Sequence, residues 1–457
     1  MSKPIPGVYP YALLQDDPTT EMGISWIDNL GKDGDEQTVY YGTDPDDLSE
    51  SESADGEAVK SSDANVYHTT LTGLDPGTTY HIEIDSAETV THKFETMPDE
   101  NPGRTRHAIT SDHHPWRGAN GMARVSGSKP MKNLGRKDFE ILLFPGDWLT
   151  DVQDGNEEDA EDWMEWWSKF GVKIDRTKLH PYFTVPGNHE VAKDISQTWS
   201  GDPDSYDEED LTPDAGHYQQ FFPNTKELGP TDENYASVTV SDYLQVIGLD
   251  TYSAFPADQT DWLKETIDPD VDHVIPIIHA PLLPGANRGS DQINKTIREE
   301  WARILYDADN VYFTMVGDNH TRKYTYPWRV VDEEPSHDEY LNLDGDGYLV
   351  VDESGDDPNR MYEFGDGWYN DRDDPPTDGD GNEVTWYLDY AELQDNDETQ
   401  VYTSSFSDDQ ILVHEWDDDG DRLDWHAVRG DGPLTTGTPI ASFGESIIGD
   451  VTFGEKA

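Results

Sequence analysis

Between residues 107 and 318 strongly apolar runs recur, and each stops at a turn marked by Gly, Pro or a polar residue: HAIT, EILLFPGD, PYFTVPGN, LQVIGLD, HVIPIIHA and VYFTMVGD. Short apolar runs closed by turn residues read as buried strands, and the stretches Glu158–Phe170, Thr260–Thr266 and Gln292–Leu305 between them carry helical periodicity. Buried strands interleaved with helices have few ways to hide their faces, so the expectation is an α/β layered core. Such a core places its chemistry at the carboxyl ends of the strands.

Residues 22–97 follow a different pattern. MGISWID, TVYYGTD, NVYHTTL, TTYHIEI and VTHKFETM are β-rich runs separated by Gly, Asp, Ser and Pro, which reads as an all-β sandwich. Within it Leu74-Asp75-Pro76-Gly77-Thr78-Thr79-Tyr80 resembles the corner of fibronectin type III domains, where a Tyr hydroxyl bonds back to the backbone. Four segments are expected: a sandwich over 1–98, a linker over 99–106 (in MPDENPGRTR), a catalytic core over 107–330, and an acidic, loop-rich part over 331–457. In the last part, VTWYLDYAEL, DQILVHEW and RLDWHAV supply strands completing the core.

Asp and Glu number 97 against 31 Lys and Arg, a net charge of −66 spread along the chain. An even spread reads as adaptation to molar salt, where the Debye length is only about 3 Å. A halophile, or a virus of one, is the expected source. Nucleic-acid binding has no basic footprint here. The absence of Cys excludes thiolate catalysis and Cys-held metal clusters. No apolar stretch is long enough to span a membrane and MSKPIPGVYPYALLQDD lacks the pattern of an export signal, so a soluble location is expected: cytoplasmic in a salt-in cell, or virion-associated if viral.

The strand ends carry Asp112 and His114, Asp147, Asn188 and His189, His279, and Asp318 and His320. Asp112 and His114 stand two apart, so both face one side of an extended backbone. Gly146 and Gly187 precede ligand-type residues and permit tight turns. Carboxylates, imidazoles and one amide form the mixed nitrogen and oxygen field that suits manganese, iron, zinc or cobalt. Two such ions sharing a carboxylate can drive an in-line phosphoryl displacement.

In order, SDHH, PGDW, PGNHE, IIHAP and GDNHTRKY resemble the five blocks of calcineurin-like metallophosphoesterases, DxH, GD, GNH[DE], H and GHxH. With the preceding fibronectin-like domain, the order of domains resembles that of purple acid phosphatases. The resemblance implies a four-layer core, with two sheets flanked by helices, and a metal-dependent phosphoester hydrolase, acid phosphatase-like, acting on phosphomonoesters or phosphodiesters. It implies a first metal on Asp112, His114 and His320, a second on Asn188, His279 and Asp318, Asp147 bridging, a bridging hydroxide as nucleophile and His189 as general acid. Thr150 stands where the purple enzymes have an iron-binding tyrosinate. Asp318 replaces the first His of GHxH, which hardens the second site toward manganese, magnesium or calcium over zinc, with manganese the favoured ion.

Arg117, Arg288 and Arg322 follow ligand blocks closely enough to reach a phosphate. Asn342, Asp344, Asp346, Tyr348 and Glu353 have the spacing of a calcium-binding EF-hand loop, without good flanking helices. A second reading of the whole is a structural or binding component of a haloarchaeal virion or cell-surface assembly, in which catalysis has faded at Asp318 and oligomer or virion partners take the place of a small phosphoester.

Overall fold

The computed structural model describes residues 5–30, 36–86, 88–100, 102, 106–109, 111, 139–149, 157–175, 178–191, 216–230, 233–254, 256–283, 292–311, 313–318, 323–324, 328–336, 341–343, 345–351 and 361–365, together with backbone strands between 391 and 452. The N-terminal part is a sandwich of two antiparallel sheets. One contains Val8–Leu13, Met22–Asp28, Asn65–Leu71 and Glu57–Ala58; the other contains Glu50–Ala54, Gln37–Gly42, Thr79–Asp85 and Val90–Glu95. Their inner faces meet through Ile24, Trp26, Val39, Ile82, Ile84 and Phe94. The Tyr80 hydroxyl accepts the Asp75 N–H at 2.9 Å, closing the corner that the LDPGTTY run announces.

The following domain has two sheets. Arg106–Ile109, Ile141–Phe144 and Pro181–Thr184 run parallel in the first; Leu244–Leu249, His273–Ile278, Phe313–Val316 and Tyr362–Gly365 run parallel in the second. Gly248 lies so close to the facing sheet that a Cβ there would meet Val185 Cγ1 at 2.6 Å. Leu143, Phe183, Val246, Ile277 and Met315, all buried, fill the layer between.

The first sheet does not end at the domain. Ala12 and Leu13 pair in parallel with Pro181 and Tyr182, so the sandwich sheet and the core sheet are one ten-stranded sheet. Tyr11 crosses this seam: its ring stacks on Trp167 at 4.1 Å and its hydroxyl donates to Phe221 O at 2.8 Å. C-terminal residues complete both sheets, with Gln410–Trp416 antiparallel to Arg106–Ile109 and Tyr362–Gly365 beside Phe313–Val316.

Helix limits differ in detail from the periodicity. The expected Glu158–Phe170 helix is α-helical over Glu157–Trp166 and then widens into a π turn, Trp167–Gly171. Gly171 lets the Trp167 ring lie against the backbone, since a Cβ would stand 2.6 Å from that ring. The Thr260–Thr266 helix starts earlier, at Pro256, because a proline is pre-set for a first helical turn. The third runs Gln292–Asp307 and buries Ile293, Ile297, Trp301 and Leu305 along one stripe. Among the described residues, no helix is long and apolar enough to cross a membrane.

Candidate metal centre

Four loops converge where the parallel strands end. Ile141–Phe144 leads into Pro145-Gly146-Asp147, and Pro181–Thr184 into Gly187-Asn188-His189-Glu190. His273–Ile278 leads directly into His279, and Phe313–Val316 into Gly317-Asp318. The two central loops touch backbone to backbone. A Cβ on Gly146, whose φ is +91°, would meet Gly187 N at 2.5 Å; one on Gly187 would meet Asp147 Oδ1 at 2.2 Å. Asp147 and Asp318 both hold left-handed backbone, with φ of 60° and 62°. Such conformations in non-glycine residues concentrate at functional turns.

His279 is wholly buried and stands at the centre of the group. Its Nδ1 lies 2.5 Å from Pro145 O, so that nitrogen carries the proton and Nε2 presents a lone pair. Nε2 faces Asp147 Oδ1 at 3.2 Å, Asn188 Oδ1 at 3.3 Å and Asp318 Oδ1 at 3.9 Å. A lone pair pointed at three oxygens, two of them carboxylate, is repulsive in a buried setting unless a cation or proton stands among them. The donor set therefore fits a metal ion. Among the described residues no three His, Asp or Glu side chains already close into a cage. Asn188 contributes an amide instead.

Of the residues expected to bind or act, Asp147, Asn188, His279 and Asp318 come together in this pocket. His189 lies beside them: its N–H donates to Asp147 Oδ1 at 3.1 Å, and its ring, one-fifth exposed, holds Nε2 3.8 Å from Asp147 Oδ2. Asp112, His114 and His320, with Arg117, Arg288 and Arg322, lie outside the described residues. Within the expected calcium loop, Leu341–Asn342 and Tyr348–Val351 form a hairpin in which Asn342 stands opposite Tyr348, and the flanking residues 337–340 and 354–360 lie outside the described residues. Asp346 N–H closes the turn on Leu343 O, while Asp344 and Glu353 lie outside the described residues.

Sequence reasoning passed over two residues. Glu190, within the PGNHE block, is buried and its carboxylate accepts the N–H groups of Asp147 (2.7 Å), Leu149 (3.0 Å) and Gly187 (2.8 Å). It fastens the Asp147 and Gly187 turns together, and burial followed by the charge of Asp147 raises its pKa. Glu363 is the other, on a C-terminal strand that no block announces.

Both domains have counterparts among known proteins. Residues 10–96 match the family described as purple acid phosphatase, N-terminal domain, and residues 105–322 match calcineurin-like phosphoesterase. No curated protein matches the sequence. Among solved structures, the chain is similar to PhoD, with a TM-score of 0.58, 13% identity and coverage of 96% of this chain and 94% of that one. It is also similar to the purple acid phosphatase PPD1 from yellow lupin (Lupinus luteus) seeds, with a TM-score of 0.59, 16% identity and coverage of 95% and 74%. At these identities the structural likeness speaks for the fold, and the two family matches carry the assignment. The chain thus joins a purple acid phosphatase N-terminal domain to a domain of the calcineurin-like phosphoesterase family.

Proposed function

We propose that this protein hydrolyses phosphoesters, phosphomonoesters foremost, with the aid of two metal ions. The observation that carries the reading is the buried His279 Nε2 turned toward the oxygens of Asp147, Asn188 and Asp318, a nitrogen and oxygen donor set gathered at one point. Asp147, Asn188, His279 and Asp318 would hold one ion, and Asp112, His114 and His320 the other, with Asp147 shared. Such a pair supplies Lewis acidity to a phosphoryl oxygen and acidifies bound water.

The remaining work falls to side chains. His189, kept beside Asp147 by its own N–H yet partly open to solvent, is placed to give a proton to a departing alcohol oxygen. Asp318 adds a carboxylate where the family block has an imidazole, which favours manganese or magnesium over zinc. Glu190 holds the Asp147 and Gly187 turns at fixed spacing by accepting three backbone N–H bonds.

The test is turnover of an aryl phosphate in molar KCl with added Mn2+, together with metal content. Wild type should bind Mn2+ and turn over substrate, and Asp147→Ala should lose both. A metal-loaded wild type without turnover, combined with an Asp147→Ala variant of unchanged metal content, overturns the reading.

A further inference from the structure

The segment that follows His279 is held with unusual completeness. Ala280 N–H donates to Thr251 Oγ1 at 3.3 Å, and Pro281 O accepts from Asn294 Nδ2 at 2.6 Å. Leu282 O accepts from Arg298 Nη1 at 2.9 Å. The N–H groups of Leu282 and Leu283 both go to one carboxylate, at 2.7 Å to Glu363 Oε2 and 3.1 Å to Glu363 Oε1. Leu282, Leu283 and Glu363 are fully buried, and Asn294 and Arg298 nearly so.

A buried carboxylate is a costly way to satisfy two backbone amides. It is tolerated where charge-assisted bonds repay the lost hydration, as this fork does, with Arg298 bringing positive charge to the same peptide from the helix side. The topology explains what the fork accomplishes. Glu363 stands in register with Thr314 on the strand Phe313–Val316, which leads into Gly317-Asp318, while its carboxylate grips the chain leaving His279. One side chain therefore ties the His279 loop to the Asp318 strand, which are the two elements whose tips meet at 3.9 Å. The strands leading into the two tips also pair directly, Ile277 with Met315 and Ile278 with Val316, and Gly317 N–H donates to His279 O at 3.0 Å, so Glu363 adds a side-chain tie to a backbone one.

From this we infer that Glu363, supplied by the C-terminal part of the chain beyond the matched phosphoesterase region, is a positioning residue that sets His279 against Asp318 and tunes the second metal site. The inference rests on the metal-centre reading above, and the experiment separates the two. Mn2+ binding to the full-length protein is titrated calorimetrically for wild type, Asp147→Ala, Glu363→Gln and Glu363→Asp, with melting temperature followed in parallel. Gln offers one oxygen and turns an NH2 toward the other N–H; Asp keeps the charge but is too short to fork both amides.

In wild type, two Mn2+ sites are expected. Both Glu363 variants should weaken one of them by roughly 10- to 100-fold while leaving the other within error, as removal of a supporting hydrogen bond typically does. Absence of any saturable Mn2+ binding in wild type, with Asp147→Ala indistinguishable, sinks the metal centre and this assignment together. Two wild-type sites that persist unchanged in folded Glu363→Gln sink this assignment alone. The same holds if both Glu363 variants fail to fold, or melt earlier with both affinities intact, since Glu363 is then a stability residue only.

Discussion

Where the Asp147, Gly187 and His279 loops meet, the smallest residues are the most constrained. Gly187 sits where Asp147 Oδ1, Asp147 N and His279 Cε1 would lie within 2.8 Å of a new Cβ, and two of these atoms belong to Asp147. No rotamer change of a long, flexible side chain can relieve that clash, so Gly187→Ala must push the Asp147 and Asn188 turns apart. The expected outcome is a folded protein with native far-UV circular dichroism, Mn2+ binding weakened and aryl phosphate turnover down about 100-fold or more, the loss typical of a displacement near 1 Å. Retention of wild-type turnover would mean that the chemistry does not depend on where the Gly187 turn holds Asp147. The pair Gly146 and Gly187 was legible in advance because a glycine before a ligand at a strand end has few other uses. Glu190 and Glu363 were not, because their partners are backbone N–H groups, which every residue but proline possesses and no spacing reveals.

Elements were legible where the hydrophobic period is strong, and their neighbours were not. VYPYAL, buried at every position, carries no alternation to mark it as a strand, and nothing local says that Leu13 will pair with Tyr182, far along the chain, and weld the sandwich to the core. Such pairing is decided by the fit of whole faces, here through Tyr11 against Trp167. The same junction contains a buried acid. Asp175, at the end of the tryptophan-rich helical segment, accepts His180 N–H at 3.1 Å and the Tyr182 hydroxyl at 2.8 Å, and its backbone meets His92 of the sandwich. Burial outweighs these bonds and pushes its carboxyl from 3.8 up to about 8. Because the folded value lies above the unfolded one, its stabilising contribution is complete below about pH 4, declines as pH rises, and is gone above about pH 8. The buried His68, His107 and His273, pushed down from 6.5 to about 4, 3 and 4, have the opposite sign: their contribution is present above pH 6.5 and lost as pH falls through those lower values. Asp175→Asn should therefore leave the acid limb of a melting profile unchanged and flatten the alkaline limb, melting a few degrees above wild type near pH 8.5 and no higher near pH 5. Parallel profiles for the two proteins across that range would show that Asp175 is ionised in the native state.

For the whole molecule, charge is the dominant variable. A formal −66 over 457 residues, with 97 acids against 31 basic side chains, leaves most carboxylates without a cationic partner by number alone. Exposed pairs such as Lys178 with Glu95, or Arg303 forked between Asp307 and Asp332, contribute little against that excess. Self-repulsion in the compact state is long-ranged when the Debye length is about 10 Å, and nearly local when salt shortens it to about 3 Å. The continuous ten-stranded sheet and the aromatic seam through Tyr11 couple sandwich and core, so the repulsion acts on one cooperative body. Calorimetry should thus show a single unfolding transition whose midpoint climbs by several degrees as KCl is raised from about 0.1 M to about 2 M, and equally with NaCl at the same ionic strength. A midpoint indifferent to salt would remove the electrostatic account of this composition, whereas two transitions with separate salt responses would show that the seam between the domains does not couple them.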